Sequence, residues 1–383
     1  MPPDSSHSRL AALDGLRGIA AVIVVLGHAL LTTTFSDAYV DRLHGKGSDP
    51  VAAVLADTPL RAFFAGNEAV VVFFVLSGFV LTLPMLRGKN LDLWAYYPRR
   101  TLRLWVPVAA AVLLAAVIIL ITPQNPAIAP SQWVKDNTFA ELDPRSVLRA
   151  LMVITGDPAI NSPLWSIEWE MLFSLLLPIA YLLVARLNRF YWTAIIAIAV
   201  VSGCGVAASV NGIKYLPMFL AGCIAAKLVH SGALHSGALR SWLLILGGVA
   251  LIAIPDLTRV LHMPFLVRTV SYATVTIGAT MIVLGLTMPS GLTRLFGSAP
   301  GRFLGRISFS LYLVHLPVMI GVLYTAPALG DMVLLISIPA SFLVAWLFTR
   351  FVEEPATRLA RHVGERVSSP SRVQQDQASD AVR

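Results

Sequence analysis

Apolar residues in this chain come in long runs, with polar residues gathered between them. Ten stretches, approximately 17–35, 67–86, 104–122, 164–185, 191–210, 213–229, 241–256, 269–289, 306–326 and 332–351, are almost uninterrupted in apolar character. A helix rising 1.5 Å per residue needs roughly 20 such residues to cross a hydrocarbon core of about 30 Å. The pattern predicts an all-α fold, a polytopic transmembrane helix bundle of about ten spans, with the sixth and seventh short or interrupted. The longest polar interval, about 122–163, is rich in Pro, Asn and Asp and predicts a small extracytoplasmic cap. The polar stretch after Arg366 lacks periodicity and reads as disordered. The expected organisation is therefore one membrane-embedded domain, 1–366, and a polar tail, 367–383, without internal repeats.

Composition agrees. Of 383 residues, 56% are hydrophobic and 13% charged, whereas a soluble domain carries about 25% charged residues. The mean hydropathy of +0.74 excludes disorder, collagen and coiled coil as the main architecture. A net charge of +8 could suggest nucleic acid, but the 24 Arg and 5 Lys fall between apolar stretches, not in one patch. With both ends inside, 20 Lys/Arg face the cytoplasm and 9 face out. The positive-inside rule then places both termini in the cytoplasm and favours an even number of spans. No charged leader or small-residue cleavage site flanks the first run, so it is expected to stay as a signal anchor in the cell membrane. Cys204 and Cys223 lie in apolar runs, and no CxxC, HExxH or Walker A pattern occurs. Spacing thus gives no positive sign of a metal, redox or nucleoside-triphosphate site.

In such a chain the ionisable residues at membrane depth are the informative ones, because each costs about 2.5–3.5 kcal/mol or more unless paired or hydrated. His28 follows Arg17 by eleven residues. Eleven steps of 100° return to within roughly 20° of the same face, about 16 Å along the axis. Asp14 lies within about 40° of that face, one turn earlier. Glu168 and Glu170 point to opposite sides of their helix, so they are no shared-proton dyad. Ser166 and Glu170 share a face. Counted from the inner surface, Ser77, Glu170 and His315 fall within about 5 Å of the midplane, while Arg17, Arg99, Arg100 and Arg103 gather at the inner edge. This is a basic cytoplasmic mouth leading to a polar centre. Each member also has a plain structural reading: Arg as helix-end anchor, Glu as ion-pair partner, Ser77 as a packed or back-bonded hydroxyl, His as a satisfied hydrogen-bonder.

Six motifs together resemble the acyltransferase 3 family of integral membrane O-acyltransferases. They are Leu13-Asp14-Gly15-Leu16-Arg17-Gly18 with the Arg-x10-His spacing ending at His28, FFVLSGF at Phe73–Phe79, and Arg100-x-x-Arg103 followed by Leu104 and Pro107. The rest are Trp165-Ser166…Glu170…Phe173, Ser308 to His315 (SFSLYLVH) with Tyr312, and Glu354-Pro355…Arg358. Family members often carry an acidic residue just before FFxLSGF, where this chain has Val71 and Val72, with Glu68 further out. Glu168 and Ser174 also depart from the common pattern.

The resemblance implies transfer of an acyl group, usually acetyl, from acyl-CoA as co-substrate to a hydroxyl of a carbohydrate or glycosylated metabolite. It implies His28 as the catalytic residue, with Arg17, Arg100 and Arg103 serving the donor or the site's integrity. Asp14, Ser77, Tyr312 and His315 stand in the same motifs and are taken with them as substrate-binding. Glu170 is expected to orient the imidazole. The chemistry fits: a guanidinium is permanently charged and bidentate toward phosphate, and a His takes a hydroxyl proton near neutral pH. The family's frequent fused esterase-like outer domain has no counterpart in this length. A proton-coupled transporter or flippase of a glycoconjugate would also need midplane His and Glu, although the paired Gly/Pro-broken halves of such proteins are not evident. A scaffold or sensor would leave the buried ionisable groups without purpose.

Overall fold

The computed structural model describes residues 5–88, 92–138, 142–154 and 160–367, with side chains from Leu10 onward. The described residues form helices, turns and loops and no strand. Eleven principal helices are α1 (Ser5–Leu31), α2 (Gly66–Leu86), α3 (Leu93–Ile121), α4 (Leu164–Ala185), α5 (Tyr191–Ala207), α6 (Asn211–His230), α7 (Ala238–Ile252), α8 (Phe265–Leu286), α9 (Ala299–Thr325), α10 (Leu334–Phe348) and α11 (Glu354–Arg366). Among the described residues nine helical segments are long and apolar enough to cross a membrane, and α5, which covers the fifth expected stretch, is a shorter apolar helix. The protein is a multi-pass membrane bundle. The polar tail from residue 368 and Lys89 lie outside the described residues.

Helices α1 and α3 start well before their apolar runs, at Ser5 and Leu93. α3 begins at Leu93, eleven residues ahead of the apolar stretch, because the Asp92 carboxylate accepts from the amides of Trp94 and Ala95 at 3.1 and 3.4 Å and caps the helix there. Arg99, Arg100 and Arg103 are therefore helical; Arg99 and Arg103 are exposed, whereas the Arg100 side chain is mostly buried.

α9 is the central helix: 94% of its most apolar window is buried. It runs against α1, α3 and α10, while α2 packs on α1, α6 and α8, and α4 reaches α2, α3 and α6. Backbones approach closely at two crossings. A Cβ on Gly18 would sit 2.6 Å from the Gly305 amide, and one on Gly305 2.4 Å from the Asp14 carbonyl. A Cβ on Gly78 would meet the Phe219 carbonyl at 2.0 Å, and one on Gly222 the Val75 carbonyl at 1.9 Å. Small residues let helices associate in lipid, where no hydrophobic force acts between them. The glycine of FFVLSGF is thus accounted for by the α2–α6 crossing.

Prolines within helices free carbonyls one turn back, and two of these are repaired by side chains that fix the site. Pro178 removes the amide that would bond Ser174 O, and Tyr96 Oη donates to that oxygen at 2.9 Å, tying α3 to α4. Pro317 does the same to Leu313 O, which accepts from Asn161 Nδ2 at 2.8 Å. The segment leading into α4 is thereby held on α9.

The end of the bundle beyond α1's C-terminus is capped. Short helices Ser36–Leu43 and Pro50–Asp57 and a 3₁₀ turn, Pro59–Phe64, follow α1; Pro126–Ile128, Gln132–Asp136 and Pro144–Leu151 follow α3. Ser131 Oγ donates to Leu31 O at 2.9 Å, satisfying one carbonyl left over at the end of α1. Asp57 accepts from Arg42 Nε at 2.6 Å and Arg259 Nη1 at 2.7 Å; Arg61 pairs with Glu68 at 3.3 Å. Burial works against the charge on Arg61, but Glu68, Tyr39 and Asp256 more than offset it and hold the guanidinium above its usual value. The cap expected between 122 and 163 is present in this form, with 139–141 and 155–159 outside the described residues.

Candidate active site

One cavity, about 980 Å³ including its open mouth, enters the bundle between α1, α2, α3, α4 and α9. Its walls contain Asp14, Arg17, Ser77, Arg100, Arg103, Glu170 and Tyr312, seven of the nine residues singled out from the sequence. The mouth lies where the N-terminal halves of α1 and α3 meet Glu353, and the walls deepen to Ser166, Phe73 and Tyr312. Mixed polar and apolar lining of this size suits a small organic substrate.

The charges inside are arranged, not merely collected. Arg100 Nη2 binds Glu170 Oε1 at 2.6 Å, and Arg100 Nε donates to Ser174 Oγ at 2.9 Å. Ser174 in turn donates to Glu170 O at 2.7 Å, and Ser77 Oγ donates to the Glu170 carboxylate at 3.4 Å. Arg17 and Arg103, by contrast, have no carboxylate within 4 Å among the described residues. A paired arginine is fixed in place; an unpaired one in a cavity wall is available to an anion. Arg99 turns away, since a Cβ on Gly364 of α11 would lie 2.7 Å from its Nε.

Tyr312 closes the deep end. Its hydroxyl lies 2.6 Å from Ser166 Oγ and 3.2 Å from Pro163 O. One turn further along α9, past Tyr312, sits His315, fully buried, with the two rings 6.2 Å apart. His28 is beside it: His28 Nδ1 and His315 Nε2 are 2.9 Å apart. Neither histidine belongs to the cavity wall. The half-buried His28 ring also lies 5.4 Å from Trp133 of the cap.

The protons of this pair follow from its partners. His315 Nδ1 is 2.9 Å from Leu311 O, and a carbonyl only accepts, so Nδ1 carries the hydrogen. With both rings neutral, His315 Nε2 is an acceptor and His28 Nδ1 must donate to it. The lone pair of His28 is left on Nε2, where it can take a proton.

The expectation that Glu170 orients the His28 imidazole does not hold in the structure. The Glu170 carboxylate is engaged by Arg100 and Ser77, on the side of α4 that faces α2 and α3, whereas His28 faces α9. The group beside His28 Nδ1 is His315 Nε2. Glu68, further out, pairs with Arg61 in the cap and does not line the cavity. The sequence reading missed Glu353, Trp133 and the Ser174 bridge. Glu353 stands next to the recognised Glu354, but a π-turn at Thr349–Glu353 brings it to Ser310 Oγ, which donates to it at 2.6 Å. Such bulges concentrate at functional sites.

The family model described as "Acyltransferase domain", acyltransferase 3, matches residues 10–350. The chain belongs to this family. It is a membrane O-acyltransferase. It is 28% identical over 345 residues to acyltransferase MdmB of Streptomyces mycarofaciens, covering 83% of this chain and 81% of that one. It is 26% identical over 366 residues to the peptidoglycan O-acetyltransferase OatA of Listeria monocytogenes, covering 85% of this chain and 57% of the relative's length. No solved structure gives a significant match.

Proposed function

We propose that the protein moves an acyl group, normally acetyl, from acyl-CoA to a hydroxyl of a carbohydrate or glycosylated metabolite at the cell membrane. Both termini and the cavity mouth face the cytoplasm in this reading, as the distribution of basic residues favours. The observation that carries the proposal is the succession of three parts from the mouth into the bundle, on α1, α3, α4 and α9. Unpaired Arg17 and Arg103 flank the mouth, Tyr312 and Ser166 close the deep end, and the His28–His315 pair lies immediately beyond. Arg17 and His28 are eleven residues apart, about 16 Å along a helix, a span that the thin pantetheine arm of CoA can bridge.

In this mechanism the acceptor hydroxyl gives its proton to His28 Nε2 while its oxygen bonds to the thioester carbon. The C–S bond then breaks, the thiolate leaves on CoA, and the proton held by His28 can pass to it. His315 Nε2 accepts from His28 Nδ1 throughout, holding the ring in the tautomer that presents Nε2. Tyr312 stands between cavity and histidine, so its side chain must shift for the thioester to arrive.

The chain is read as one catalytic domain that acylates its acceptor directly. Purified protein in proteoliposomes should transfer label from acetyl-CoA to one acceptor class among fractionated surface polysaccharide, peptidoglycan fragments, lipid-linked sugars and glycosylated metabolites. Mass spectrometry would show the acetyl increment. Product that forms only after a second protein is added would overturn direct transfer, and no use of any acyl-CoA would overturn the donor.

A further inference from the structure

A second groove opens beside the mouth of the main cavity, and Glu353 lines both. It holds about 630 Å³ between Arg306 of α9, the π-turn at Thr349–Glu353, and Glu354, Thr357, Arg358 and Arg361 of α11. Residues 354, 357, 358 and 361 recur at three- and four-residue spacing, so they share one face of α11. Arg306 is held by Glu354, which also takes Arg350 at 3.3 Å. Arg358 and Arg361 are exposed and have no carboxylate within 4 Å among the described residues. Glu353 is pinned by Ser310 and forms the partition between the two spaces.

We infer that this groove receives the nucleotide end of the donor, with its phosphates on Arg358 and Arg361 and its pantetheine arm passing Glu353 into the main cavity. The inference rests on the acyl-CoA reading above. Its grounds are size and charge. A bulky head bearing several negative charges needs an open, cationic site, which the groove offers. The cavity behind Glu353 has Arg17 and Arg103 in its wall but is also lined by Phe73, Phe74 and Tyr312, which suit the thin arm better than the head. Glu354 is taken up by Arg306 and Arg350, and Glu353 is held by Ser310. The two guanidinium forks, with no carboxylate within 4 Å among the described residues, are therefore suited to phosphate oxygens, and Thr357 adds a hydroxyl. The phosphate of an anionic lipid headgroup has the same chemistry, and the test separates the two sources.

The test uses the full chain in proteoliposomes of neutral phosphatidylcholine, comparing wild type with Arg358→Ala/Arg361→Ala. Both positions are exposed, which favours correct folding of the variant. KM for acetyl-CoA should rise about tenfold or more while kcat stays within about twofold, and kinetics with S-acetylpantetheine, which lacks the nucleotide, should match wild type. Adenosine 3′,5′-bisphosphate should compete with acetyl-CoA in wild type and about tenfold more weakly in the variant. An equal rise for both donors, no rise for either, or an effect seen only when anionic lipid is present would overturn the inference and leave the acyl-CoA reading standing. Failure of wild type to use acetyl-CoA at all would instead overturn the reading on which it rests.

Discussion

His28 and His315 are hydrogen-bonded at 2.9 Å across an offset of 287 residues, and Gly18 and Gly305 touch at that same offset one end of the helix pair away. The two helices run parallel and in register for ten residues between these contacts. The glycine crossing near the mouth therefore sets the alignment that brings the imidazoles together at depth.

Gly18→Val should consequently lower activity although Gly18 does not line the cavity. Its branched side chain would start at a Cβ 2.5 Å from Leu304 Cβ, and both are part of packed helices that must separate. Overpacking of this kind costs about 1–3 kcal/mol. Turnover of the folded, detergent-purified variant should fall at least about tenfold, with a lowered unfolding temperature. Retained turnover would mean that helix register does not control the histidine pair.

In the proposed mechanism His315 acts through His28, and its replacements should separate position from bulk. His315→Ala should lower kcat by about 10- to 100-fold, at or below the low end of the roughly 10²- to 10⁴-fold that general-base assistance contributes as a whole, and alter the pH profile of kcat/KM. His315→Gln retains an acceptor for His28 Nδ1 and should restore part of the rate. If Ala and Gln behave alike and neither moves the pH profile, His315 is packing only.

Arg100 and Glu170 form a pair whose members are each mostly buried, with 11% and 20% of their side chains exposed. Arg100→Met leaves Glu170 uncompensated and should destabilise the protein by about 3 kcal/mol. Arg100→Met with Glu170→Gln should recover much of that loss. A double-mutant cycle read by thermal unfolding would show coupling above about 1 kcal/mol; additive effects would contradict the pair's mutual dependence. Arg103 differs, having no carboxylate within 4 Å among the described residues. Arg103→Lys should raise KM for acetyl-CoA with little change in unfolding temperature, since an ammonium replaces a bidentate fork poorly.

The cap should be acid-sensitive through Asp57. Burial pushes this carboxyl up, but hydrogen bonds from Arg259 and Arg42 outweigh it and hold it below its ordinary value. Its stabilising contribution is therefore complete above about pH 4 and is lost as pH falls through the lower folded value. Asp57→Asn should lower the unfolding temperature at pH 7 and flatten its dependence on acid. Identical pH curves for variant and wild type would refute this.

The helix bundle was legible because apolar runs of membrane length leave few alternatives, and the cavity residues were legible because ionisable groups at membrane depth demand partners. Pairing was less accessible. Glu170 and His28 lie at similar depth, and nothing in their spacing says that α4 turns one toward α3 while α1 turns the other toward α9. Glu353 was hidden for a local reason: the π-turn adds a residue to the helix and shifts its register, so regular 3.6-residue counting does not place it. Trp133 reaches His28 only because the cap folds back on the end of α1, a long-range contact fixed by Ser131 and Leu31. The close fit of α1 and α9 was written in Gly18 and Gly305, but as small residues without a stated partner.

The central claim is that His28 removes the acceptor's proton. It is tested most directly by turnover of purified His28→Ala in proteoliposomes with saturating acetyl-CoA and acceptor, alongside acetyl-CoA binding by the same preparation. The account predicts that donor binding stays within about threefold of wild type while acyl transfer falls by at least about 100-fold. Turnover near wild type in a correctly inserted variant that binds donor would contradict it.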